Sequence, residues 1–133
     1  MTSEKFETSF ALLIDGAVYV IDAGSGAYGR LIQALAKHGD GVAEVDLRHV
    51  FLTHLHPDHT LSLPSFIFGP YQLGRQEPIS VYGPAGTQAM VDHLIEAYKV
   101  GIHELQHHGP REMPSVTVNV TEISSGIIFE DER

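Results

Sequence analysis

Two short apolar runs open the pattern of the chain, Phe10 to Ile14 and Val18 to Ile21. Asp15-Gly16 lies between them, a pair suited to the left-handed backbone of a tight turn, so the runs are predicted to form a hairpin. Asp22-Ala23-Gly24-Ser25-Gly26 ends the second run in a tight loop. Tyr28, Leu31, Ile32 and Leu35 then recur at helical spacing, with His38-Gly39 as the helix end. Asp40 to Asp46 is a polar connection, and Leu47 to Thr53 reads as a buried strand. Leu61 to Phe68 is apolar enough for a short helix that Gly69-Pro70 should stop. Tyr71 to Glu77 reads as a loop and Ile79 to Tyr82 as a strand. Gly83-Pro84 opens a helix predicted to run to about Val100, because proline near the first turn loses no needed N–H. Gly109 to Pro114 is a loop. Val116, Val118 and Val120 alternate with Thr117, Asn119 and Thr121, the period of a strand, and Ile127 to Phe129 forms a last short strand. Strands and helices alternate, which predicts an α/β chain or a mixed αβ sandwich.

The 133 residues fit one domain. No apolar run approaches the roughly 18 residues of a membrane span, and the first residues lack the basic-then-apolar pattern of a signal peptide. A soluble, cytoplasmic chain with no membrane partner is expected. With no cysteine, disulfides, thiolate zinc sites and cysteine nucleophiles are excluded, so a metal must be held by histidine and carboxylate. The nine histidines make that chemistry worth testing. Eight basic residues against seventeen acidic ones give a net charge of −9, without the Lys/Arg-rich surface that phosphate backbones attract. Nucleic acid is therefore expected to be an unlikely partner for this segment, and a small molecule the better substrate.

The chemistry concentrates where the Leu47–Thr53 run stops. Thr53-His54-Leu55-His56-Pro57-Asp58-His59 offers four ligand-type side chains within six residues. Continued strand geometry would point His54 and His56 the same way. Pro57 turns the chain, and Asp58 and His59 then add a carboxylate and a third imidazole. Such a turn can serve two adjacent metal positions, His54 with His56 and Asp58 with His59, clamping a bridging hydroxide. The competing account, a histidine-rich turn without metal, fits a lone His-x-His better than this full pattern. Of the other histidines, His38 reads as a solvated cap and His49 as partly buried or at an edge. His103, His107 and His108 cluster but match no ligand pattern.

Thr53 to His59 resembles the motif of the metallo-β-lactamase fold superfamily. The wider segment from Val50 to Tyr98 looks like its ribonuclease Z-like and arylsulfatase-like branch of hydrolases. Leu63-Pro64, Leu73-Gly74-Arg75, Glu77-Pro78, Val81-Tyr82-Gly83-Pro84 and Val20-Ile21-Asp22-Ala23-Gly24 carry that likeness. The resemblance implies an αβ/βα sandwich, of which this chain would be the N-terminal half only, a mixed sheet flanked by helices. It implies two divalent metal ions, zinc first, with manganese or iron also suited. His54 and His56 would hold one, Asp58 and His59 the other. Asp58 would also take a proton from the attacking water. Asp22 would orient the site from behind the ligands, the plainer alternative being a loop cap.

The implied activity is hydrolysis of a phosphodiester, sulfate ester or other ester by a metal-bound hydroxide. A β-lactamase proper fits less well because of Asp58-His59, and transfer-RNA processing is disfavoured by the acidic balance. The family's later ligands find no match here, so residues 1–133 are expected to be an incomplete domain, a fragment of one nearly twice as long. The alternative function is accordingly a metal-binding half-domain inactive alone. Its exposed face would favour a homodimer.

Overall fold

The computed structural model describes residues 8–109 and 116–126. Five strands form one sheet in the order β1-β2-β3-β4-β5: β1 (Phe10–Ile14), β2 (Ala17–Ile21), β3 (Leu47–Phe51), β4 (Ile79–Gly83) and β5 (Val118–Glu122). β1 and β2 pair antiparallel, and β2, β3, β4 and β5 run parallel to one another. The hairpin turn is the predicted one, with Asp15 and Gly16 at φ 48° and 81°. Both turn residues therefore sit in the left-handed region that a two-residue hairpin requires. A mixed sheet flanked by helices is what the resemblance implies, and the alternation of strands and helices along the chain predicts the α/β class.

The helices are crossovers between parallel neighbours. They are α1 (Ala27–His38), α2 (Pro57–Thr60), α3 (Leu63–Gln72) and α4 (Thr87–His108). Apolar residues alternate along the strands, so Val20, Val50, Val81 and Val120 line up across one face of the sheet. With Val18, Leu47 and Ile79 they meet Leu31 of α1, Leu63, Phe66 and Ile67 of α3, and Val91 of α4 in one apolar core. Burying a residue such as Phe66 or Leu63 contributes about 1.5–3 kcal/mol. The opposite face carries a stacked row of rings. Tyr19 lies over His49 (centroids 5.3 Å apart) and Phe51 over Tyr82 (4.7 Å). His49 is thus half-buried on the central strand, not at an edge.

Several predicted boundaries differ, each for a tertiary reason. β3 stops at Phe51 rather than Thr53. Leu52 still donates to the carbonyl of Tyr82, but the Thr53 amide leaves the ladder for the side chain of Asp22. α3 does not stop at Gly69-Pro70 but continues to Gln72. Pro70 and Tyr71 are buried there, and the next turn picks up the loose carbonyls: Gly74 donates to Tyr71, and the Arg75 amide to Pro70. The Arg75 guanidinium, itself buried, donates to the carbonyl of Ile67 at 3.2 Å. Burial pushes its pKa down to about 10, which leaves it charged at neutral pH. α4 extends past Val100 to His108. Ile102 packs against the core and Gln106 hydrogen-bonds the Tyr71 side chain, which offsets the cost of Gly101 inside the helix. The connection 40–46 ends in a 3-10 turn, Glu44–Asp46. The Ile127 to Phe129 strand and most of the 109–114 loop lie outside the described residues. No helix among the described residues is long and apolar enough to cross a membrane.

Candidate metal centre

Parallel strands direct their carboxyl ends to one edge of the sheet, where ligands of open α/β sheets bind. Asp22 follows the last residue of β2, and Thr53 to His59 follows β3. His54, Leu55 and His56 form a loop, not a continued strand, and Pro57 opens the one-turn helix α2 from its first position. The two rings are brought together all the same, with centroids 4.6 Å apart. The loop is held from two sides. The amide of Ala23 donates to the carbonyl of His59, and the amide of Ser62 to the carbonyl of Ala23, each at 2.7 Å. On the other side, Leu55 lies against Gly86, just before α4; a Cβ there would lie 3.2 Å from Cδ1 of Leu55.

One nitrogen or oxygen from each of His54, His56 and Asp58 falls within 4.8 Å of the others, an arrangement that could hold a divalent ion. This groups Asp58 with the first two histidines. His59 stands beside them, its ring centroid 3.9 Å from that of His54 and its Nε2 3.5 Å from Oδ2 of Asp58. The four predicted side chains are therefore one cluster, graded in exposure. His56 and Asp58 are open to solvent, His54 is half-buried, and the His59 side chain is 15% exposed. The donor set fits a borderline cation: neutral imidazoles and a carboxylate suit zinc, manganese and iron, without a thiolate to select among them. None of the four lines the cavity of about 250 Å³ beneath α1, which is walled by Ser9, Ala11, Arg30, Leu31 and Phe66.

Asp22 sits behind the cluster. Its backbone is at φ 60°, a left-handed conformation that aspartate tolerates better than most residues. The amide donates to the carbonyl of Phe51 at 2.7 Å, and the carbonyl accepts the hydroxyl of Ser9 at 2.8 Å. The carboxylate is buried and takes the Thr53 amide (2.8 Å), the Thr53 hydroxyl (2.8 Å) and Nδ1 of His59 (2.9 Å). Through His59 the carboxylate reaches into the cluster of candidate ligands. Thr53 is the residue to which sequence reasoning gave no role. The signal was present as a hydroxyl immediately before the first histidine.

His38, His93, His103 and His107 lie away from this edge on helices. His103 and His107 lie one turn apart on α4, their rings tilted 45° to each other with centroids 4.4 Å apart.

Residues 4–68 match the family model described as the metallo-beta-lactamase superfamily. Among curated relatives, the ribonuclease Z of Methanococcus maripaludis strain S2 is 31% identical over 118 residues, covering 84% of this chain and 36% of the relative. The ribonuclease Z of Methanothermobacter thermautotrophicus is 31% identical over 131 residues, covering 98% and 37%. Among solved structures, the short form of human tRNase Z superposes with a TM-score of 0.61 at 22% identity, over 87% of this chain and 37% of that one. A metallo-beta-lactamase fold protein from Bacillus subtilis gives 0.56 at 15%, over 93% and 41%. The chain thus spans about two fifths of the length of the curated relatives it matches.

These relatives correct the expectation of a small-molecule substrate with nucleic acid as an unlikely partner, since those named are ribonucleases. The physical reason is that net charge sums over a whole segment. A scissile phosphate is engaged locally, and a surplus of carboxylates on distant helices does not govern that contact. With the matched segment holding the whole of Thr53–His59 and the fold shared with solved members, residues 4–68 are a segment of the metallo-beta-lactamase superfamily.

Proposed function

We propose that this chain carries the metal-binding part of a ribonuclease Z-type hydrolase that cleaves phosphodiester bonds in RNA. The observation that carries the reading is the convergence of His54, His56 and Asp58 within 4.8 Å at the carboxyl edge of the sheet. The ribonuclease Z relatives at 31% identity supply the substrate class.

In this reading His54 and His56 hold one divalent ion, while Asp58 and His59 hold a second. Zinc is the first choice and manganese or iron the others. Such ions, when bound, polarise a phosphoryl oxygen and acidify water. The residues do the rest. Asp58, its side chain 56% exposed, stands where it can accept a proton from an attacking water. Asp22 accepts Nδ1–H of His59 and so leaves Nε2 of that ring facing Asp58, where it would be available to a bound ion.

The test is cleavage of a transfer-RNA precursor, and of a chromogenic phosphodiester, by the chain loaded with zinc or manganese. Turnover that chelation removes and that His56→Ala abolishes is the expected result. Metal-loaded protein that cleaves neither substrate, or turnover that survives His56→Ala, would overturn the proposal.

A further inference from the structure

The hydrogen bonds around Asp22 lead one residue further than the ligands themselves. We infer that Thr53 is a positioning residue: its hydroxyl passes the Asp22 carboxylate's influence on to His54, so that one buried carboxylate fixes the tautomers of both His54 and His59. The consequence for metal affinity rests on the reading of the cluster as a metal centre. The tautomers themselves do not.

Counting protons establishes the direction of each bond. An ionised carboxylate only accepts. Oδ1 of Asp22 takes the Thr53 amide at 2.8 Å, and Oδ2 takes Nδ1–H of His59 at 2.9 Å. The Thr53 hydroxyl lies 2.8 Å from Oδ2 and 3.0 Å from Oδ1. It also lies 3.0 Å from Nδ1 of His54. A hydroxyl has a single proton, and a charged acceptor binds it more strongly than a neutral imidazole nitrogen does. That proton therefore goes to Asp22. The contact with His54 can then be a hydrogen bond only if Nδ1 of His54 donates to the hydroxyl oxygen. Nδ1 of His54 carries the proton, and its Nε2 keeps a bare lone pair.

His59 reaches the same state by direct contact with Asp22, so both rings present Nε2 for coordination. The geometry is fixed at its base as well. The amide and hydroxyl of Thr53 grip the same carboxylate, which restricts the rotamer that aims the hydroxyl at His54. Valine has the same shape without a hydroxyl. Serine keeps the hydroxyl and loses only the methyl group.

Two measurements decide the matter. The first is multiple-bond ¹H–¹⁵N NMR of the metal-free, ¹⁵N-labelled chain at a pH where the imidazoles are neutral. The Nδ1–H tautomer of His54 is expected in wild type and Thr53→Ser, and a mixture of tautomers in Thr53→Val. A Nε2–H tautomer of His54 in wild type, or an unchanged pattern in Thr53→Val, would sink the assignment. The second is zinc affinity by chelator competition. Thr53→Val should weaken it about 10–100-fold, the usual effect of losing a partner behind a ligand, and Thr53→Ser should recover most of that loss. Equal weakening in both variants would mean that the methyl group matters and the relay does not. If Thr53→Val fails to fold, the wild-type and Thr53→Ser spectra still decide. If wild type binds no zinc, the metal reading fails, and the His54 tautomer still tests the role of Thr53.

Discussion

The backbone amide of Ala23 donates to the carbonyl of His59 at 2.7 Å, which ties the residue after Asp22 directly to the last candidate ligand of the cluster. Ala23 is fully buried and makes its return contact with Ser62. The ends of two neighbouring strands are thus fastened to each other beneath the metal loop. The ligands can be exposed and still be fixed.

That arrangement separates function from stability at His56. Its side chain faces solvent and meets the edge of the His54 ring without entering the apolar core. His56→Ala should leave the metal-free unfolding free energy within about 0.5 kcal/mol of wild type. Zinc affinity should fall by more than the about 10–100-fold that loss of an outer partner costs. Thermal unfolding with and without zinc, together with chelator competition, measures both.

Asp22 should behave in the opposite way. Asp22→Asn keeps the shape but turns an amide group toward donors that need an acceptor. A buried donor left unsatisfied costs about 1–3 kcal/mol. The variant should therefore lose stability even without metal, and zinc affinity should drop about 10–100-fold. A variant as stable as wild type in urea would show that the three hydrogen bonds contribute nothing net.

Gly69 and Tyr28 make a packing test remote from the centre. A Cβ on Gly69 would overlap the phenol end of Tyr28, whose hydroxyl is held by the Glu44 carboxylate. Gly69→Ala should cost about 1–3 kcal/mol, as overpacking usually does. In a Tyr28→Ala background the obstacle is gone, so the added cost of Gly69→Ala should shrink. A double-mutant cycle by urea denaturation reads the coupling.

The same tyrosine predicts an alkaline transition. Burial, and then the hydrogen bond and charge of Glu44, hold the Tyr28 hydroxyl well above the ordinary tyrosine range. The folded state therefore keeps this proton more tightly than the unfolded chain does. Its contribution is fully present below the unfolded value of about 10 and is lost as pH rises from there toward the folded value. Unfolding curves from about pH 8 to about pH 11 should fall more steeply for wild type than for Tyr28→Phe. Equal slopes would rule Tyr28 out as their source.

The sheet was legible because its signals are local. Alternation places Val118 and Val120 on one face, and Asp15-Gly16 makes a hairpin by its own backbone preference. The clustering of His54, His56, Asp58 and His59 was legible for a different reason: the four lie within six residues of one turn. What could not be read was set by distant partners. Pro70 stays inside α3 because it is buried in the core and the turn at Gly74 and Arg75 satisfies the last carbonyls of the helix, and neither the burial nor the turn shows in the Gly69-Pro70 pair itself. α4 outruns its expected end because Gln106 finds Tyr71, 35 positions earlier in the chain. The role of Thr53 depends on Asp22, 31 residues away. The substrate class was misjudged because an average over charges was used to decide a local contact.

Those long separations also govern how the centre comes and goes in time. The bonds from Asp22 span 31 residues to Thr53 and 37 to His59. Bonds of such high contact order form only after the intervening chain has been closed into place. The ligands should thus reach their final geometry late, once β2 and β3 are paired. A metal ion would then slow unfolding and leave the folding rate nearly unchanged. The Thr53 amide should exchange with solvent as slowly as the amides of the central strands. Release of the ion would follow the opening of this part of the sheet, and its residence time would report on the kinetic stability of the fold.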